Sequence, residues 1–496
     1  MVKKRKEDTT KRLDSKGNDR GEEKASKVNA DTIYETCSEH LSPFGGLLGL
    51  IKFIDLIKLK EIFEDIYIKP KREPKLGNYH MIMGILMLLF IGFNRIWHFT
   101  YIRLDAIFCG FFQLTELPAA STFWRYVDSL RINQAESLLR VMRVLRERVW
   151  LLCGIRYEKI HLSTDTTVTT VYGRQEGGRK GHNIKNRGKK GYRPVLCFID
   201  ETREYLMGKL RRGETMSSEE VGKFIERIKK QLPGCVKEVL FRGDGEFFGW
   251  ESVVGCIKAG FDYIIANKGS HPPFNPKRWY RLRKKDPFEY NSCVYQPMGW
   301  GSPCRFVVMR FPKNLGLPSD APMQYELFED DRYTYRIFVT SLLGKAHKVI
   351  AEYDKRADVE NLVGEAKREG LDAIPSNKFK NNYAYFQIVM LAYNIWRYFK
   401  IMAQMSDQEE VSESDNAHCT FKGLSNNHIR IARLKLLLIA AKVVSHSNKD
   451  KVRYSIHDMR TQGLMKFYGF LDKARQKVRP WIEGGLWQCR FSLNNV

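Results

Sequence analysis

A change of hydrophobic period near residue 159 constrains this chain most. From Leu41 to Trp150 the apolar residues recur mostly at helical spacing, as in LGLIKFIDLIKLKEIFEDIY, and Ser121 or Thr122 is placed to cap a helix holding Phe123, Trp124 and Tyr126. From Lys159 they alternate every second residue, with Ile160, Leu162 and Thr164 leading to Asp165. RPVLCFID and REYLMGKLRRG read as two further strands. A helix from Ser217 to about Gln231 follows, then the strand EVLFRGD, a helix from Glu246 to Ala259 and the strand DYIIANK. Strands alternating with helices predict an α/β core, a mixed sheet with flanking helices. Between about Gly269 and Tyr335 the rhythm breaks into Pro-, aromatic- and β-rich sequence, which reads as a mostly β insertion. One long helix is expected from about Ala346 to Glu369, ended by Gly370. The apolar helix NYAYFQIVMLAYNIWRYFKIM and a basic helical run, IRIARLKLLLIAAKVV, come after it.

The expected organisation is a flexible polar tail (1–35), a helical region (36–150), the first part of the core (151–268), the β insertion (269–335), the second part of the core (336–404), a polar acidic linker (405–425) and a basic C-terminal helical region (426–496). A chain of 496 residues is too long for a single core, so several domains are expected. Lys and Arg number 83 against 57 Asp and Glu, a formal charge of +26, which calls for a polyanionic partner with DNA or RNA first. Ribosomal and membrane-surface proteins share that balance, so charge alone does not choose. The helical region 36–150 suits a helix-turn-helix reader or an ordinary helical subdomain equally well. Ten cysteines without C-x-x-C pairs suggest reduced thiols. The longest apolar run, Met81 to Phe93, has 13 residues, whereas a bilayer span needs about 20. With no secretory apolar core near the start, the chain reads as cytoplasmic with no membrane partner.

Against that background three acids stand out. Asp165 and Asp244 each end a predicted strand, where a rigid sheet can hold carboxylates for divalent cations. Tyr353, Arg356, Glu360 and Lys367 lie at offsets that place them within a helical stripe about 60° wide. Asp354, Asp358 and Glu365 point elsewhere, and replacing Asp358 or Glu365 is expected to have little effect on catalysis. A carboxylate for metal between two cations for phosphate suits phosphoryl transfer. An amphipathic polar stripe with an ordinary Arg356–Glu360 pair accounts for the same spacing. Asp200, Asp262 and Asp331 also fall near strand ends, but no motif surrounds them. The run from Arg174 to Arg193 holds eight Lys or Arg against one Glu, among them Arg179, Lys180, Lys185, Arg187, Lys189, Lys190 and Arg193. It reads as a flexible cationic loop suited to DNA backbone, or else as a solvated surface loop. His182 within it is a loop residue rather than a metal ligand.

With these residues in hand, the sequence resembles the DDE transposases of bacterial insertion sequences, enzymes with an RNase H-like catalytic core. The spacing Y-x2-R-x3-E-x6-K is met by Tyr353, Arg356, Glu360 and Lys367, and it marks the subgroup that carries a β insertion. STDTTVTTVYG and FRGDGEFF look like the first two acidic motifs, and together with RLKLLLIAAKVV they look most like the insertion-sequence group numbered 1380. The resemblance covers roughly residues 40 to 450. It implies Asp165, Asp244 and Glu360 as a catalytic, metal-binding triad for two Mg2+ (or Mn2+) ions. It also implies Tyr353, Arg356 and Lys367 as contacts to transposon-end phosphates. The partners implied are double-stranded DNA, as terminal inverted repeats and target, and a second copy of the chain on paired ends, with no small-molecule substrate. Some related enzymes use an insertion Trp to hold a base flipped out beside a DNA hairpin, which makes Trp279 and Trp300 the candidates. The implied activity is DNA strand cleavage and strand transfer. An inactive transposase-derived DNA-binding protein, or an RNase H-like nuclease without joining activity, would carry the same motifs.

Overall fold

The structure, a computed structural model, describes residues 28–181, 186–213, 216–315, 332–408, 421–446 and 449–483. His182, Lys185 and Asp331 lie outside the described residues, as do most of the expected tail and residues 409–420 of the expected linker. The chain divides into two units, Met1–His40 and Leu41–Val496. In the first, Asn29 and Thr32 close a short turn.

The second unit begins with a two-residue strand, β1 (Leu41–Ser42), and six helices: α1 (Leu47–Leu56), α2 (Leu59–Ile66), α3 (Asn78–Phe90), α4 (Ala106–Phe112), α5 (Ala120–Ser129) and α6 (Ile132–Leu152). The apolar run that begins at Met81 is α3, buried from Met81 to Phe90. No helix among the described residues is long and apolar enough to cross a membrane. Ser121 and Thr122 sit inside the first turn of α5 rather than capping it, because Ala119 is extended and the helix starts directly after it.

The sheet follows in β2 (Lys159–Thr166), which begins where the period changes. Three short strands, β3 (Thr169–Thr170), β4 (Arg179–Lys180) and β5 (Lys190–Tyr192), form a small sheet of their own in the order β3-β5-β4. Next come β6 (Val195–Ile199), β7 (Glu204–Lys209), α7 (Ser218–Lys229), β8 (Glu238–Gly243), α8 (Trp250–Ala259) and β9 (Asp262–Ala266). The stretch expected as an insertion supplies β10 (Glu289–Tyr295), β11 (Cys304–Pro312) and the start of β12 (Tyr333–Thr340). These strands extend the central sheet, whose order is β10-β11-β12-β9-β8-β2-β6-β7. β2, β8 and β9 run parallel, and the remaining neighbours are antiparallel. The architecture is therefore mixed α/β, with helices packed around one large mixed sheet.

The helix expected from Ala346 to Glu369 is broken into α9 (Ala346–Asp354), a 3-10 turn (Lys355–Ala357), α10 (Asp358–Ala366) and a π turn (Lys367–Leu371). Packing explains the break. Val349, Ile350 and Tyr353 of α9 join one core with Leu240, Ile264 and Phe338, whereas Val359, Leu362, Val363 and Ala366 of α10 join the other. The tight turn lets both apolar faces stay inward. At the end, Gly370 adopts φ +124°, a conformation that disfavours any side chain. The long buried helix α11 (Phe379–Gln408) packs against α3 and α6. The basic run expected to be one helix forms α12 (Ile429–Leu436) and then turns into β13 (Ala441–His446). β13 pairs with β1 and with β14 (Lys449–Tyr454), so backbone pairing and β-branched Val443 and Val444 override the helical period there. The helix α13 (Arg460–Glu483) packs on α1.

Candidate active site

Two adjacent parallel strands build the centre of the site. β2 pairs with β8 so that Thr164 lies opposite Gly243, which puts the next residues, Asp165 and Asp244, side by side where the strands end. Neighbouring strands lie about 4.8 Å apart, so two carboxylates in this register must interact. They do so through their charges, the Asp244 carboxylate raising Asp165. Burial pushes Asp165 up to about 7; Arg356 pulls it down, while Asp244 and Glu360 push it further up. Asp244 is also raised by burial, against the pull of Arg356, Arg193 and Lys268.

The segment from α9 to α10 closes this edge. Arg356, in the 3-10 turn, is buried and donates to the Thr164 carbonyl and to Asp165 Oδ1, each at 2.9 Å. Burial disfavours its charge, but Tyr353, Asp165 and Asp244 more than offset that and raise it overall. Tyr353 is buried against Phe338, ring centroids 4.4 Å apart, and its buried hydroxyl has no hydrogen-bond partner among the described residues. Glu360 is exposed in the first turn of α10 and acts on Asp165 through its field. Lys367 Nζ donates to the Val168 carbonyl at 2.7 Å, three residues beyond Asp165. The four stripe residues thus converge on the end of β2, although the helix carrying them is segmented. Among the described residues no three Asp, Glu, His or Cys side chains form a ready metal cage.

Two further residues at this edge, Glu246 and Lys268, escaped the sequence reading, and a third, Arg193, has another setting than the one expected. Arg193, assigned to a flexible loop, is buried, pairs with Glu246 and acts on both Asp244 and Asp165. Glu246 accepts from Thr166 Oγ1 at 2.9 Å, while its backbone N–H donates to Asp244 Oδ1 at 3.0 Å. The Asp-Gly-Glu sequence is a signal for that local turn, since Asp side chains bond backbone two residues on. Lys268 follows β9, the strand beside β8, and the strand-end argument that found the aspartates applies to it equally.

The described part of the cationic run holds short strands rather than an open loop. Arg179 and Lys180 form β4, Lys190 begins β5, and Lys180, Arg187, Lys189 and Lys190 are exposed. Thr169 Oγ1 donates to Asp372 at 3.1 Å and Phe379 N–H donates to Glu176 at 3.1 Å, which tie the small sheet to the segment beyond Lys367. Trp279 lies under the Arg310 guanidinium, 4.0 Å from its ring centroid, and Trp300 packs among Phe248, Trp250 and Phe306. Asp200 accepts from Ser163 at 3.0 Å and pairs with Arg242, while Asp262 accepts from Ser341 at 2.8 Å.

A pH prediction follows from Asp165. Its carboxyl ionises near 3.8 when unfolded and near 7 when folded, so between those values the folded state binds more protons. Stability from this group therefore falls as pH rises across that window, because folding must retain a proton that the unfolded chain has released. Melting temperatures without divalent metal should drop from pH 4 to pH 7 more for the parent than for Asp165→Asn. Parallel profiles for the two proteins would sink this reading.

At this edge, carboxylates are thus paired at the ends of two parallel strands, with buried arginines against them and a small basic sheet alongside. The chain belongs to the family Transposase DDE domain group 1, whose model matches residues 33–476. Among solved structures it is similar to the piggyBac transposase synaptic complex with hairpin DNA, at 12% identity and a TM-score of 0.40, covering 77% of this chain and 79% of that one. No curated protein matches it.

Proposed function

We propose that this transposase-family chain binds the ends of its mobile element and catalyses metal-dependent DNA strand cleavage and strand transfer. The observation that carries the reading is the β2–β8 register, which sets Asp165 beside Asp244 with Arg356 against Asp165. Asp165, Asp244 and Glu360 act as the catalytic carboxylates on an RNase H-like core. Their donor set is all carboxylate oxygen, which suits Mg2+ or Mn2+. Burial lifts Asp165 to about 7 and the Asp244 and Glu360 charges push it further up, so a divalent cation would neutralise negative charge that this edge disfavours, and the residues fit such ions. Bound there, two ions would stabilise the attacking and leaving oxygens of an in-line displacement at phosphorus. Glu360, exposed on α10, would complete the ligand set.

The chain's own cations position the substrate. Arg356 and Arg193 carry fixed positive charge to the carboxylate edge, Tyr353 backs Arg356, and Lys367 holds the strand beyond Asp165. The phosphates of the transposon end are their target. The helical N-terminal region supplies most end recognition, since phosphate contacts carry little sequence information. A dimer on paired ends, an origin in a bacterial insertion sequence and kinship with the group numbered 1380 complete the proposal.

The test is incubation with a duplex carrying the element's own terminal repeat, with Mg2+ and with EDTA. Cleaved and joined products only with metal support the reading, and their absence at saturating DNA overturns it. The basic sheet gives a separate expectation. Changing Lys180, Lys189 and Lys190 to Gln should weaken duplex binding and flatten the slope of log K against log salt by about 0.9 for each phosphate no longer neutralised. An unchanged slope in a salt titration would remove the sheet from the DNA interface.

A further inference from the structure

A cleft of about 490 Å3 opens between the 3-10 turn Ile96–Tyr101, the start of α5 and the segment 373–375. Its walls include Arg95, Trp97, Ser121, Trp124, Pro375 and Tyr385. The volume lies within the roughly 300–1,000 Å3 typical of small-molecule sites. Trp97 is 55% exposed and Trp124 42% exposed, unusual for side chains that normally bury most of their surface.

Packing beneath the cleft holds these rings in place. Gly84 leaves room for Phe123, since a Cβ there would come within 2.6 Å of that ring. Phe123 then stacks flat on Phe99, with centroids 3.8 Å apart and planes at 4°. That stack locks the 3-10 turn to α5, so Trp97 and Trp124, each next to a residue that points inward, both face the cleft. Trp124 is held further by its Nε1–H, which donates to the Pro375 carbonyl at 3.0 Å. Arg95 is exposed and makes no ion pair among the described residues, and the first turn of α5 contains no acid.

We infer that this cleft binds one unstacked nucleotide, its base against Trp97 and Trp124 and its phosphate towards Arg95. Exposed aromatic faces beside a free cation match a base and its phosphate, because every base offers a π face. The cleft is also connected to the carboxylate edge. Its wall at residues 373–375 continues from Asp372, which accepts from Thr169, and from Lys367, which holds Val168. A nucleotide seated there would belong to the same strand path as the phosphates at Asp165. The inference rests on the DNA reading above, with the nucleotide supplied either by bound DNA or free in solution.

The test compares three probes without metal: a blunt duplex, the same duplex with one unpaired 2-aminopurine near its end, and free deoxyadenosine monophosphate. The unpaired-base duplex should bind more tightly than the blunt one, with quenching of the 2-aminopurine. Trp97→Ala and Trp124→Ala should each cost about 5- to 150-fold on that duplex while leaving blunt-duplex affinity within about twofold. Trp124→Phe should restore much of that affinity. Saturable binding of the free nucleotide, abolished in both alanine variants, would keep the pocket but assign it to the free ligand. Tight blunt-duplex binding with no advantage from the unpaired base, no free-nucleotide binding and no effect of either variant would overturn the cleft while leaving the DNA reading intact. Failure of every probe to bind would overturn both.

Discussion

Asp165→Asn, Asp244→Asn and Glu360→Gln should each lower metal-dependent strand cleavage by about 1,000-fold or more. Each removes a negative charge from the place where the proposed ions would sit. Stabilisation of charge at phosphorus by bound metal amounts to several kcal/mol, and about 4 kcal/mol corresponds to about 1,000-fold in rate. The amide variants keep the side-chain shape, so circular dichroism should change little beside the drop in rate. Asp358→Ala is the proper comparison, since Asp358 is exposed and its pair with Arg203 at 3.0 Å lies at the surface. Exposed pairs contribute about 0–1 kcal/mol, so this variant should cleave like the parent. Glu365 cannot serve as a second control, contrary to the sequence-based expectation. It is buried, pairs with Arg397 and accepts the Ile429 N–H at 2.5 Å, so its removal would disturb the packing of α10, α11 and α12. Near-parental cleavage by any of the three acid variants would remove that residue from the proposed triad.

The largest effect on stability should come from Glu204, at the start of β7. Its carboxylate is buried and accepts from Arg146 Nε at 2.9 Å, Trp150 Nε1 at 2.8 Å and Thr202 Oγ1 at 2.7 Å, and from the Tyr398 hydroxyl. Arg146 also donates to the carbonyls of Gln231 and Tyr205, so one ion pair joins α6, the sheet and α11. Glu204→Ala leaves the Arg146 charge buried without its partner, which costs about 3–5 kcal/mol. Glu204→Leu combined with Arg146→Met removes both charges and should recover part of that stability. Urea unfolding distinguishes the cases. A shift under about 1 kcal/mol for Glu204→Ala would show that the pair contributes little to holding the layers together.

Much of this was legible from local pattern. Alternation located β2, and RPVLCFID, EVLFRGD and DYIIANK read as β6, β8 and β9; strand-end position made Asp165 and Asp244 candidates, and the family resemblance chose them over Asp200, Asp262 and Asp331. The offsets of Tyr353, Arg356, Glu360 and Lys367 selected residues that do converge on one edge. Other features depend on partners far away in the chain. Nothing near Arg193 says that it leaves the basic run to meet Glu246, more than fifty residues on. Likewise, AKVVSH reads as helix until β1 and β14 offer it a ladder on either side.

By itself the sequence determined most of the core strands and helices and the acids that end the central strands, because period acts over a few residues. The tertiary structure decided the rest. Register brought Asp165 against Asp244, and two separate cores broke the Glu360 helix at Lys355–Ala357. Burial then turned Arg356 and Arg193 from surface charges into fixed partners of the acids. Each of these depends on long-range packing, which no local spacing records.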